Sequence, residues 1–142
     1  MGKTLKAQIV QPEDVAYIWE EVAPLLDRVK EYTEGELETD DFLEPVTHGD
    51  MQLWISTDGG VMHSAMITQI VIYPQKKVLR IISLAGSDFK KLYYFKDMVE
   101  SFAIKTGCSS LELWGRKGWK RLLSDWESNY IVYTKDLKHR MQ

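Results

Sequence analysis

The sequence predicts an α/β domain: a mixed, twisted, largely antiparallel sheet flanked by helices, with one strand–helix–strand crossover. Three observations carry this expectation. Before residue 50 the apolar residues recur at helical spacing, and from Met51 the period changes to two. Further on, two short apolar runs, 77–84 and 109–114, bracket an amphipathic stretch over 88–106. No internal repeat, low-complexity tract or linker-like stretch interrupts the chain, so 1–142 reads as a single domain.

Taken in order, the first helix starts at Pro12, whose missing N–H has no partner to lose in a first helical turn. Val15, Ile18, Trp19, Val22, Leu25, Leu26 and Val29 make its apolar stripe, and Pro24 is expected to kink or divide it. Residues 32–38 are acidic and polar, an exposed connection. Thr39 is then placed to cap a short second helix carrying Phe42, Leu43 and Val46. In the first strand Leu53 and Ile55 alternate with Gln52 and Trp54. Asp58-Gly59-Gly60 makes a hairpin turn into a long strand over 61–73. Pro74-Gln75-Lys76 turns the chain into the strand 77–84. The helix 88–106 buries Leu92, Phe95, Met98, Val99, Phe102 and Ala103, and Gly107 closes it. The strands on either side of such a crossover should be parallel and joined with right-handed sense. A short helix over 117–125 and a last strand over 129–135 complete the order: two helices, three strands, a helix, a strand, a helix and a strand.

Composition narrows the function classes. An apolar share of 44% and a charged share of 27% belong to a globular protein. No apolar run approaches the roughly 20 residues of a membrane span, and the N-terminus lacks the apolar block of a signal peptide. Cys108 is the single cysteine, which excludes an internal disulfide and makes the cytoplasm the expected location. His48, His63 and His139 have no metal-like spacing, so no metal is expected. The aromatic residues do not alternate with basic runs, which gives nucleic-acid binding no support. Charge is unevenly divided: residues 1–50 carry thirteen acids against four bases, and residues 51–142 carry eight acids against fourteen bases. That division can separate a surface for cations from one for phosphates, or can arise from an acidic helix pair beside a mildly basic sheet.

The element order resembles the GCN5-related N-acetyltransferase fold. More narrowly, the chain resembles GNAT-like proteins of tailed phages and prophages. The residues that carry the likeness are Met51-Gln52-Leu53-Trp54, Tyr73-Pro74 with Leu79-Arg80, a turn at Gly86, Gly107-Cys108, Gly115-Arg116-Lys117-Gly118-Trp119 and Lys135-Asp136-Leu137, spread over 12–137. The resemblance implies that acetyl-CoA enters between strands 77–84 and 109–114. It implies a small or protein amine as acceptor and, for a phage-encoded chain, the host cytoplasm or the virion as location. Two departures accompany it. The family's phosphate loop, Arg/Gln-x-x-Gly-x-Gly/Ala, is reduced here to Leu84-Ala85-Gly86-Ser87-Asp88. The family's tyrosine acid is missing as well, and Leu122 and Leu123 occupy its neighbourhood. They motivate an alternative: a non-catalytic phage assembly or protein-binding module that keeps the fold.

Candidate residues follow from chemistry. A helix start at Gly86-Ser87 offers backbone N–H groups to a phosphate, with Lys90 and Lys91 adding charge; Asp88 opposes this, and Ser87 or Asp88 can equally serve as a cap. Arg116 and Lys117, between two glycines, suit a phosphate or the adenine end of coenzyme A, or stay solvated while Trp119 packs. Amide formation from a thioester needs a base for the amine and an acid for the thiolate. Glu112 is the sole carboxylate of the two crossover strands and the candidate base, unless it points into water. Tyr130 is the candidate acid, with Tyr133 beside it, unless both pack. Cys108 reads as a nucleophile or as a buried thiol behind the helix cap.

Overall fold

The computed structural model describes residues 5–28, 38–86, 91–113, 125–127, 133, 135 and 137. Strand β1 (Leu5–Val10) is followed by a 3-10 turn (Pro12–Asp14) and helix α1 (Val15–Asp27); a 3-10 turn (Thr39–Phe42) leads into α2 (Leu43–Thr47). Then come β2 (Gln52–Asp58), β3 (Val61–Ile72), β4 (Lys77–Gly86), α3 (Lys91–Lys105) and β5 (Ser110–Leu113). The five strands form one sheet in sequential order. The first three pairings are antiparallel and β4–β5 is parallel, so the expected mixed sheet and parallel crossover are both present.

β1 is an addition to the expected order. Leu5, Ala7 and Ile9 alternate with Lys6, Gln8 and Val10, and all six residues pair with Leu53 to Asp58 of β2. The segment is short and its small Ala7 weakens the period-two signal, which Pro12 then overshadows by announcing a helix. Pro12 does open the first turn, but α1 runs through Pro24 without dividing. Pro24 is exposed, so the position where it lacks an N–H faces water.

The cap before α2 differs from expectation. The Glu38 backbone N–H donates to Asp41 Oδ2 at 2.7 Å, and Glu38 rather than Thr39 holds the cap position. Thr39 is buried, and its hydroxyl donates to Asp27, tying the turn back to the end of α1. Trp19 Nε1 donates to Asp40 Oδ1 at 3.1 Å and secures the same joint.

Two cores lie on the two faces of the sheet. Val15, Trp19, Val22 and Leu26 of α1, with Phe42 and Val46, pack on Leu53, Ile55, Ala65, Ile67 and Ala85. Phe95, Val99 and Ala103 of α3 pack on Trp54, Met66, Leu79, Ile81 and Leu84. Covering both faces puts Trp54 in the second core rather than on a solvated face, and its ring meets Phe102 edge-on at 5.4 Å. Full burial of such side chains contributes roughly 1.5–3 kcal/mol each, so the sheet is stabilised from both sides.

Turn chemistry follows the sequence closely. Gly59 and Gly60 both have positive φ, 59° and 85°, which a two-residue type I′ hairpin requires. Gly107 (φ 84°) ends α3: its N–H donates to the Ile104 carbonyl and that of Cys108 to the Ala103 carbonyl, the paired bonds of a Schellman motif. Cys108 is thereby buried behind the cap. No helix among the described residues is long and apolar enough to cross a membrane.

Candidate functional site at the end of the fourth strand

β4 is longer than the expected 77–84. Gly86 is its last residue, paired opposite Ser64, so it ends a strand rather than making a turn. The parallel register with β5 ends at Ile81↔Leu113, and β4 continues for the five residues Ile82–Gly86 past this last described rung. On its other edge the β3 register shifts between Ile67↔Ser83 and Thr68↔Ile81, which makes Ile82 a bulge. A bulge re-aims the strand, and here it sits directly after the last described rung with β5.

Of the candidate phosphate-loop residues, Leu84 and Ala85 are buried, one in each core. Their side chains are therefore core, and only backbone from this pair and Gly86 can meet a ligand. Ser87, Asp88, Lys90, Arg116 and Tyr130 lie outside the described residues, as does the side chain of Lys91. Of the helix expected over 117–125, all but Asp125 lies there too. Of the expected last strand only Tyr133 and Lys135 are described, both exposed and outside any strand.

Glu112 faces its register partner Arg80. Arg80 Nε donates to Glu112 Oε1 at 2.6 Å, and Arg80 Nη2 donates to the Tyr73 hydroxyl at 2.9 Å. Tyr73 in turn donates to Glu112 Oε2 at 3.2 Å, closing a ring of three side chains across the end of β3, β4 and β5. With Arg80 19% and Glu112 24% exposed, the carboxylate is neither buried alone nor solvated. By sequence alone Glu112 is either a base or a water-facing residue. Its tie to Arg80 was legible only through the β4–β5 register.

A second polar group, which no short stretch of sequence assembles, lies on Gly86's own rung. Ser64 stands between Gly86 and Ser56 in the ladder. Both serines are fully buried and share a hydrogen bond. His63 is the bulged residue of β3, with Nδ1 3.4 Å from Ser56 Oγ. His63-Ser64 inside a long apolar strand was the available signal, but only the register joins it to Ser56 and Gly86. Among the described residues no group of three His, Cys, Asp or Glu side chains is placed to hold a metal ion.

No family model and no curated protein sequence matches the chain. Solved structures do. An aminoglycoside acetyltransferase from an uncultured soil metagenomic sample, in complex with sisomicin, superposes with a TM-score of 0.69 at 12% identity, over 94% of this chain and 97% of its own. A GCN5-related N-acetyltransferase from Ralstonia eutropha gives 0.68 at 11% identity, over 93% and 98%. Glucosamine-6-phosphate N-acetyltransferase from Arabidopsis thaliana gives 0.68 at 15% identity, over 94% and 99%. The chain has the GNAT fold. Identities this low show the fold alone, so the chemistry of the site rests on its own residues.

Proposed function

We propose that the chain is an acyl-CoA-dependent N-acyltransferase, or a coenzyme A-binding relative of one, acting on a small or protein amine. The observation that supports this best is the end of β4: a bulge at Ile82, a strand that runs past its last described rung with β5, and a terminal glycine on the chain's way to α3, which starts at Lys91. Leu84, Ala85 and Gly86 fit acetyl-CoA through their backbone, since the first two side chains are packed away. Ser87, Asp88, Lys90, Lys91 and Arg116 are the proposed phosphate contacts, with Glu112 the proposed base and Tyr130 the proposed acid. Because the sequence resembles phage-encoded relatives, a position beside capsid or tail genes is expected for its gene.

A second reading is a non-catalytic, protein-binding module, and one observation favours it. Glu112 already accepts from both Arg80 and Tyr73, so removing a proton from an amine would require it to leave that ring. Calorimetry with acetyl-CoA and an acetyl-transfer assay separate the two. The expected result is a dissociation constant on the order of micromolar to millimolar, weakened by Gly86→Val, because a Cβ blocks close backbone approach. If polyamine, amino sugar or lysine-rich protein is acetylated, Glu112→Gln should lower turnover by roughly 10²–10⁴-fold. Full turnover in that variant removes Glu112 as the base. Neither binding nor transfer at about millimolar acetyl-CoA leaves the protein-binding module.

A further inference from the structure

Among the described residues β1 ends the sheet, and no hydrogen bond reaches its outer edge. Edge strands are usually shielded by a proline, a bulge, several charges or a covering element. β1 is six residues long and pairs with β2 without a register shift. It holds no proline or glycine and one charge, Lys6. The core on the α3 face also opens here. Trp54 and Met66 are closed from solvent on that face, whereas Ala7 and Ile9 at the edge are only half-buried. Phe102, which lines a recess with Ile9, is half-buried as well.

The β2–β3 hairpin fixes which backbone groups of β1 point outward. In a two-residue turn the flanking residues, here Asp58 and Val61, exchange both hydrogen bonds, so the Asp58 backbone points at β3. Alternation then turns Thr57, Ile55 and Leu53 towards β1; the extra residue of the bulge, His63, lies in β3 and leaves this order intact. Their register partners Lys6, Gln8 and Val10 bond to β2, and Leu5, Ala7 and Ile9 present N–H and C=O to the outside. A two-fold axis through Gln8, perpendicular to the sheet, matches this edge to itself. It sets Ala7 against Ile9 of the second copy, both outward-bonding and both half-buried on the α3 face. On the other face Gln8 meets Gln8, each amide able to donate and accept, and Lys6 meets Val10, so no like charges oppose. We propose that β1 pairs antiparallel with β1 of a second copy about Gln8, joining two five-stranded sheets into one. This goes beyond the acyltransferase reading: it uses no residue of the β4 end, and its test needs no coenzyme.

Sedimentation equilibrium of the full chain tests the pairing. An edge contact this short buries less than a standard interface, so a monomer–dimer equilibrium with a dissociation constant on the order of 10–100 μM is expected. Ala7→Pro removes an outward N–H while leaving the ladder to β2, and should abolish the dimer. Gln8→Lys, at an exposed position, places like charges across the axis and should weaken it at least about tenfold, less so at high salt. Gln8 faces its copy as a non-hydrogen-bonded pair, with Cα atoms about 4.5 Å apart, within the span of a disulfide. Mild oxidation should therefore link Gln8→Cys into a covalent dimer and leave the unmodified chain, whose Cys108 is buried, unlinked. A monomer up to about 500 μM overturns the proposal, since the constant expected would then have produced mostly dimer. A dimer that survives both Ala7→Pro and Gln8→Lys overturns it too, as does a Gln8→Cys chain that stays monomeric on oxidation. A circular dichroism melt of each variant confirms that the fold persists.

Discussion

The two halves of the sheet are held by different means. In β1–β3 each strand contacts its neighbour through an antiparallel ladder, a two-residue turn joins β2 to β3, and buried apolar side chains fill both faces. The β4–β5 half has four parallel rungs, and its strands are joined only through α3. There, polar groups distant in sequence act as pins. Arg80 ties to Glu112, Lys77 Nζ donates to the Thr106 carbonyl at 2.5 Å, and the Ser109 N–H donates to the Lys77 carbonyl at 2.8 Å. A hairpin turn sets register by itself, whereas a parallel pair separated by a crossover has no turn to do so. The contrast teaches that both halves are buried, but the register of β4 with β5 leans on contacts between residues distant in sequence, where β2–β3 has its turn.

Trp54→Ala should give the largest effect. It removes a fully buried indole together with its bond to Thr68, and a loss of about 3–5 kcal/mol is expected in urea unfolding. A loss below about 1 kcal/mol would break the view that burial dominates β1–β3.

Arg80→Met comes next, with about 1–3 kcal/mol expected. The pair is mostly buried, and the change strips Glu112 of this partner. A double-mutant cycle with Glu112→Gln sharpens the point: the two losses should fall short of adding, since both remove the same contact. Strict additivity would mean that the pair does not pin β4 to β5.

Gly107→Ala should be smallest, about 1 kcal/mol, from the positive φ that the Schellman bonds impose. A Cβ there would meet only Lys77 Nζ at 3.7 Å, an ordinary contact, so strain rather than collision sets the size. Replacement by Asn, which tolerates this conformation better, should recover part of the loss in the same unfolding experiment.

Local chemistry alone determined a good deal of this protein. The Gly59-Gly60 hairpin, the Gly107 cap, the start of a helix at Pro12 and the change of period at Met51 could be read because each depends on residues a few positions apart. The parallel crossover could be read as well, because a strand, a helix and a strand have few ways to connect. Tertiary structure decided the rest. β1 is recognisable as a strand only when β2 lies beside it. Trp54 alternates as if it faced water, and it is buried because α3 covers that side. At the candidate site, Leu84 and Ala85 became core and Gly86 became a strand end once β3 extended the ladder to Ser64. Glu112 acquired Arg80 and Tyr73, and Ser56 acquired Ser64 and His63, through register. Register brings together residues 7–39 positions apart, and it is set by the summed packing of two cores and by bulges at His63 and Ile82. No window of sequence contains that sum, so helices and turns were legible where the polar constellations were not.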